Sequence, residues 1–406
     1  MIKQQFEISA GYKKWTNILL GVGGLAFVLG VVFLGMSKDE LAQTRFWSVL
    51  LQNSTFFLLV VNASMFFICV TTLAMGGWQM AFRRVPEAIS SVVPVFSILA
   101  LLVFVGLIFG HKHNIYHWLD KEHVAHDPIL KGKSAFLNPT FFMVWTIITL
   151  TLWSFVGAKM RKLSSEADEQ MDQEASKKFI WNNTVWAATF IVFFALTVAS
   201  TIPWLWLMSI DAHWYSTMYS WYTFASTFVA GMALVAIFVV YLKNQDYLEY
   251  VSEEHLHDLG KFMFAFSVFW TYLWYSQFML IWYANIPEET VYFKPRMQGP
   301  YRGIFFLNLI INFVLPFLLL MRRGSKRNFT TMTFVAVLII LGHWIDFYQM
   351  VMPGTLHEHY SLGWFEFGIL IFYAGLIMYF VGRGLTKKPL LAVHHPFVKE
   401  SLIHHT

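Results

Sequence analysis

The chain of 406 residues contains a single cysteine, Cys69, set inside an apolar run. One thiol excludes an internal disulfide. It also excludes thiolate-held zinc and iron–sulfur sites, which need several ligands. No C-x-x-C-H stretch is present for covalent haem attachment. Charge is scarce as well: Asp, Glu, Lys and Arg supply 13% of the residues, against about 25% in a soluble domain. The longest connecting segment, between Gly110 and Asn138, is too short to be a soluble domain. What fills the chain instead is 57% hydrophobic residues, with a mean hydropathy of +0.53. This composition is that of a polytopic membrane protein.

Apolar runs of about 18 residues or more predict ten transmembrane helices in an all-α fold. They cover residues 15–35, 47–76, 88–110, 139–160, 180–208, 215–242, 259–284, 303–321, 329–352 and 363–382. Lys3, Lys13 and Lys14 precede the first run, and no A-x-A-like site follows it, so it reads as a retained span rather than a signal peptide. Trp and Tyr crowd many run ends, as in TIPWLWLMSIDAHWYSTMYSWY, which fits interfacial belts. Most Lys and Arg lie in one set of alternate connections: Arg83 and Arg84, Lys159 to Lys178, Arg322 to Arg327, and the tail from Arg383 to Lys399. The positive-inside rule then predicts both termini in the cytoplasm. The net charge of +5 comes from these positions, and no nucleic-acid partner is implied.

The polar residues inside this apolar chain carry the functional signal. In LIILGHWIDFYQMVMPG (338–354), His343 and Asp346 sit three apart on one helix face. A charge within a span costs at least about 2.5–3.5 kcal/mol on insertion scales, so the pair must be compensated or used. Asp211 and His213 lie near the end of the fifth run, Glu288 and Glu289 just after the seventh. Acids and imidazoles from several helices at one level suit an outer proton path or a quinol site. At the other end of the seventh run stand His255, His257, Asp258 and Lys261, followed along the helix by Tyr272, Tyr275, Ser276 and Gln277, with Asn308 and Asn312 on the eighth. These suggest an inner proton path; an interface cap and a packed core are the bland alternative. A b-type haem commonly needs two histidines on facing helices, and only His343 lies well inside a run, so no haem is expected. The loop stretches HKH and HEH have no fixed metal-binding geometry, and no metal site is expected. The second to fifth and sixth to ninth runs begin on the same side, so a parallel internal repeat is allowed.

Three stretches resemble a known family: HDLGKFMFAFSVFWTYLWYSQFMLIWYANIPEET (257–290), DAHWYSTMYSWY (211–222) and GHWIDFYQMVMP (342–353). They are similar to the F subunit of bacterial alternative complex III, and the resemblance runs along the whole chain. It implies an NrfD or polysulfide-reductase-type fold within a single membrane domain, 1–406. Two four-helix bundles, 47–208 and 215–352, would be flanked by the first and last helices. It implies a subunit of a quinol:cytochrome c (or quinol:oxidase) oxidoreductase of the bacterial inner membrane, with a structural and proton-conducting role. The chain would bind no redox cofactor of its own, with quinol the one small molecule admitted. Haem c and iron–sulfur clusters would sit in partners: a multihaem cytochrome c, an iron–sulfur subunit, a second NrfD-like subunit, small membrane subunits and a terminal oxidase. The family's proton residues would map onto Asp211, His213, Glu288, His343 and Asp346 on the outer side, and onto Asp258 and Lys261 on the inner side. Two rival functions stay open, quinol binding by this chain and stand-alone secondary transport, and so does a purely structural scaffold.

Overall fold

A computed structural model describes residues 5–405, which leaves Lys3 outside the described residues. Ten long helical segments follow one another: α1 (Ala10–Gly35), α2 (Glu40–Leu73), α3 (Arg84–Phe109), α4 (Pro139–Asp168), α5 (Gln173–Trp206), α6 (Met218–Asn244), α7 (Glu253–Ala284), α8 (Arg302–Leu320), α9 (Phe329–Leu356) and α10 (Trp364–Leu385). No strand occurs among the described residues. Nine of the ten are long and apolar enough to cross a bilayer; α7 is the exception. The protein is therefore an all-α, multi-pass membrane protein. With 32 residues, α7 is about 48 Å long and has the length to span. Its C-terminal half reads WTYLWYSQFMLIWY, and the N–H and O–H groups of Trp and Tyr lower its hydropathy below that of its neighbours.

The helix starts are written in short polar side chains that accept otherwise orphaned backbone N–H groups. Asn138, followed by Pro139, accepts from the Phe141 amide. Asp172 accepts from Ala175, and Asn328 from Thr331. Prolines leave marks inside the spans. Pro203 in α5 and Pro316 in α8 have no N–H for the carbonyl four residues back, and their rings crowd it. In both helices the turn around that carbonyl widens to π geometry, over Thr197–Thr201 and Ile310–Val314.

Two helices form the middle of the molecule. The apolar windows of α2 and α6 are 78% and 89% buried, whereas that of α1 is only 17% buried. Around α2, contacts run from α2 to α3, α3 to α4, α4 to α5 and α5 back to α2. Around α6 they run from α6 to α7, α7 to α8, α8 to α9 and α9 back to α6. α2 also meets α6 and α9, and α1 lies chiefly along α10. That last pair is brought close by missing side chains. A Cβ on Gly23 would lie 2.4 Å from the Cα of Phe372, and one on Gly368 would lie 2.3 Å from the Ala26 Cβ.

The start of α3, the end of α4 and the segment after α10 meet at one end of the molecule, marked by Arg84, Arg161 and Lys388. The tail folds back over this basic end. The Ala81 amide donates to Ser401 Oγ at 2.9 Å, the Gly77 amide to Glu400 at 3.0 Å, and His404 pairs with Asp258 at 2.9 Å.

Candidate functional site

His343 and Asp346 are both fully buried, on the face of α9 that meets α6, α7 and α8. Asp346 collects four donors from three other helices. Oδ1 accepts from the Tyr222 hydroxyl and from Asn308 Nδ2 at 2.8 Å. Oδ2 accepts from Ser226 Oγ at 2.8 Å and from Trp270 Nε1 at 2.9 Å. An ionised carboxylate accepts about four hydrogen bonds, so the group is saturated in that form without any Lys or Arg beside it. A second layer holds the first: Asn312 Nδ2 donates to Asn308 Oδ1 at 2.6 Å. Asn312 sits in the π turn of α8.

The histidine and the aspartate share a helix face, as their spacing predicts, but they do not bond directly. His343 Nδ1 lies 3.9 Å from Asp346 Oδ2, beyond hydrogen-bond range. Ser226 bridges them, with its Oγ 2.9 Å from Nδ1. Its single proton goes to Asp346, so its oxygen accepts from a protonated His343 Nδ1. The other ring nitrogen, Nε2, is buried with no hydrogen-bond partner. Trp270 closes the site edge to face with the imidazole, with centroids 5.3 Å apart. A proton arriving at Nε2 makes an imidazolium one serine away from a carboxylate. The pair can therefore hold or lose one proton while its hydrogen bonds stay in place.

Toward the opposite end from the basic one, aromatic hydroxyl groups lead away from Asp346. Tyr222 neighbours Tyr219, and Tyr219 neighbours Tyr292, at 6.2 Å between centroids in each case. Tyr292 carries the Arg296 guanidinium over its ring at 3.5 Å. Burial, the largest influence, pushes the Tyr292 phenol up to about 12, so it stays protonated. Arg296 then reaches Asp211 at 3.4 Å. Its Nε also donates to the Gln349 carbonyl at 2.9 Å, the group left without an intrahelical donor by Pro353.

The other expected residues divide sharply. Asp211 is linked to this line through Arg296. His213 is half exposed and pairs with Asp127, while Glu288 is exposed and Glu289 half-buried on the short helix after α7; the structure does not bring these three to Asp346. At the basic end, Asp258 pairs with Lys261 at 2.6 Å and with His404. His255 caps the start of α7 through Ser252 and bonds Ser401 at 3.0 Å. His257 is buried beside it. The expected ladder along α7 is not continuous. Tyr272 and Tyr275 are exposed, whereas Gln277 is buried, because two residues along a helix turn through about 200°. The buried polar face of α7 is instead Ser267, Trp270 and Gln277.

Tyr222, Ser226, Trp270 and Arg296 were not singled out by the sequence. The signal for two of them was present: Tyr222 and Ser226 are four apart in the apolar run of α6, hence on one face. No family model matches the chain, and no curated protein matches it.

Proposed function

We propose that this chain is a proton-conducting and structural membrane subunit of a quinol-oxidising complex of the alternative complex III type, with ten spans including α7. The observation that carries the reading is the fully buried Asp346, saturated by four neutral donors and joined through Ser226 to a histidine whose Nε2 has no partner. Ionisable groups inside spans are retained mainly for ion or proton pathways. The two closed sets of neighbours, α2 to α5 and α6 to α9, support a two-bundle layout. The basic residues gathered at one end support cytoplasmic termini.

In this mechanism a proton reaches His343 Nε2 from the end of α7 where Asp258 and Lys261 stand. Ser226 passes the charge shift to Asp346, and Tyr222, Tyr219 and Tyr292 lead it toward Asp211. Their rings pack with centroids 6.2 Å apart, close enough for neighbouring hydroxyls to pass a proton directly or across one bridging water. Direct quinol oxidation at this pair is the weaker reading, because both side chains are fully buried and a quinol ring reaches them only if helices part.

Asp346→Asn tests the reading in the purified complex reconstituted in vesicles. The expected result is assembled complex with quinol turnover but a reduced ratio of protons released to electrons transferred. Normal turnover with normal proton release overturns it. Purification of the chain from native membranes as a colourless, solitary protein overturns the complex itself, and places transport first.

A further inference from the structure

A cleft of about 310 Å³ opens at the basic end, between the start of α3, the end of α4 and the segment just after α10. Its charges do not balance. Glu87 is held by Arg83 at 3.1 Å and by Arg84 at 2.8 Å. Asp168 is held by Arg84. That accounts for both carboxylates. Arg161, Lys387 and Lys388 also face the cleft, and among the described residues none of the three forms an ion pair with a carboxylate. Arg161 and Lys388 are held in place without being neutralised. Arg161 Nη1 donates to the Ser90 carbonyl at 3.1 Å and hydroxyl at 3.2 Å. Lys388 Nζ donates to the Arg161 carbonyl at 3.1 Å. Burial lowers the Lys388 ammonium below its ordinary value, with Arg84 and Arg161 adding to the effect against the opposing pull of Glu87 and Asp168. Arg84 is itself buried, and its Nε has no partner. Ala88 and Leu385 supply an apolar wall beside these cations.

We infer that this cleft binds a phosphate group, and that an anionic phospholipid headgroup at the membrane face supplies it. Three uncompensated cations around a pocket between helix ends match a phosphate with one or two negative charges. The apolar wall of Ala88 and Leu385 suits the glycerol and the first methylenes of a lipid. A free phosphate would satisfy the cations alone. The site is independent of the proton relay at Asp346.

The test is native mass spectrometry of the full chain, released from detergent after incubation with cardiolipin, phosphatidylglycerol or phosphatidylcholine. A parallel arm adds inorganic phosphate. The expected result is retention of the anionic lipids over phosphatidylcholine. Lys387→Gln with Lys388→Gln should weaken that retention about 25-fold, at roughly fivefold per surface cation. Lys387 is exposed and Lys388 half-buried, so the double variant folds. A second variant, Arg161→Lys, keeps the charge but loses the paired donors, and should give an intermediate loss. Equal retention of anionic and neutral lipids, or an unchanged double variant, overturns the site. Displacement of lipid by millimolar inorganic phosphate overturns the lipid as the source of the phosphate.

Discussion

At Gly342 the missing side chain decides the shape of the buried site. A Cβ there would lie 2.2 Å from Asn312 Oδ1, and Asn312 steadies Asn308, which donates to Asp346. Gly342→Ala is therefore expected to push Asn312 out of place. The cost is about 1–3 kcal/mol for overpacking, read as a lower midpoint of thermal unfolding in detergent, with proton release falling alongside it. Ser226→Ala removes the bridge without adding bulk. It leaves one acceptor position of Asp346 and the His343 Nδ1 group unpaired, for about 1–3 kcal/mol. Proton release should fall while complex assembly is retained, and an unchanged proton yield would show that Ser226 takes no part in transfer. The His343 and Asp346 pair was legible in the sequence because ionisable residues stand out in an apolar run. Their partners were not. Tyr222, Ser226 and Trp270 are ordinary residues for an aromatic-rich span, and only the packing of α6 and α7 on α9 turns them toward one carboxylate.

Among the elements, α9 and the tail respond to different perturbations. Pro353 breaks the α9 ladder and Arg296 repairs it from outside, bonding the Gln349 carbonyl and pairing with Asp211. Arg296→Met strands that carbonyl and a half-buried carboxylate together. The expected loss is about 3 kcal/mol or more, with faster hydrogen exchange confined to the last turns of α9. The tail answers to pH. His395 Nδ1 accepts the Phe397 amide at 3.2 Å, and burial pushes the imidazole down to about 3 from its ordinary 6.5. The folded tail thus needs neutral His395, and the undocked tail takes up the proton. Docking is at full strength above pH 6.5 and weakens by about 1.4 kcal/mol for each pH unit below it, until the folded value near 3. Hydrogen exchange over residues 389–403 at pH 7 and pH 5 checks this, and His395→Phe should flatten the difference. Nine helices were legible from apolar run length and α7 from the same counting. The π turns of α5 and α8 were foreshadowed only by Pro203 and Pro316, since run length says nothing of local winding.

Across the whole molecule, buried polar ties hold separate helices in register where apolar packing alone would let them slide. Arg45 on α2 grips the fully buried Glu366 of α10 through two bonds of 2.8 and 2.7 Å. Glu366 also accepts the Gly363 amide at 2.9 Å. Gln52 and Asn53 of α2 bracket Trp344 of α9, at 3.1 and 2.9 Å. Arg45→Met leaves Glu366 buried and uncompensated, which costs about 3–5 kcal/mol. The expected result is a lower unfolding midpoint with α1 and α10 exchanging first; an unchanged midpoint would mark the pair as dispensable. Within the run 363–382 Glu366 stands as a single acid, and nothing local in the sequence names a partner more than 300 positions away.

The close fit of α1 on α10 sets an order of events during synthesis. α1 enters the bilayer early, yet the surface that its small residues were shaped to meet is translated some 350 residues later. At about 5–20 residues per second, that is a wait of roughly 20–70 seconds. Through that interval the helix stands in lipid with its glycine seam open, held by little more than its length and apolarity. α10 is the clasp for α1, so a ribosome stalled before Trp364 leaves an inserted chain whose buried site around Asp346 is complete and whose edge is still unclosed.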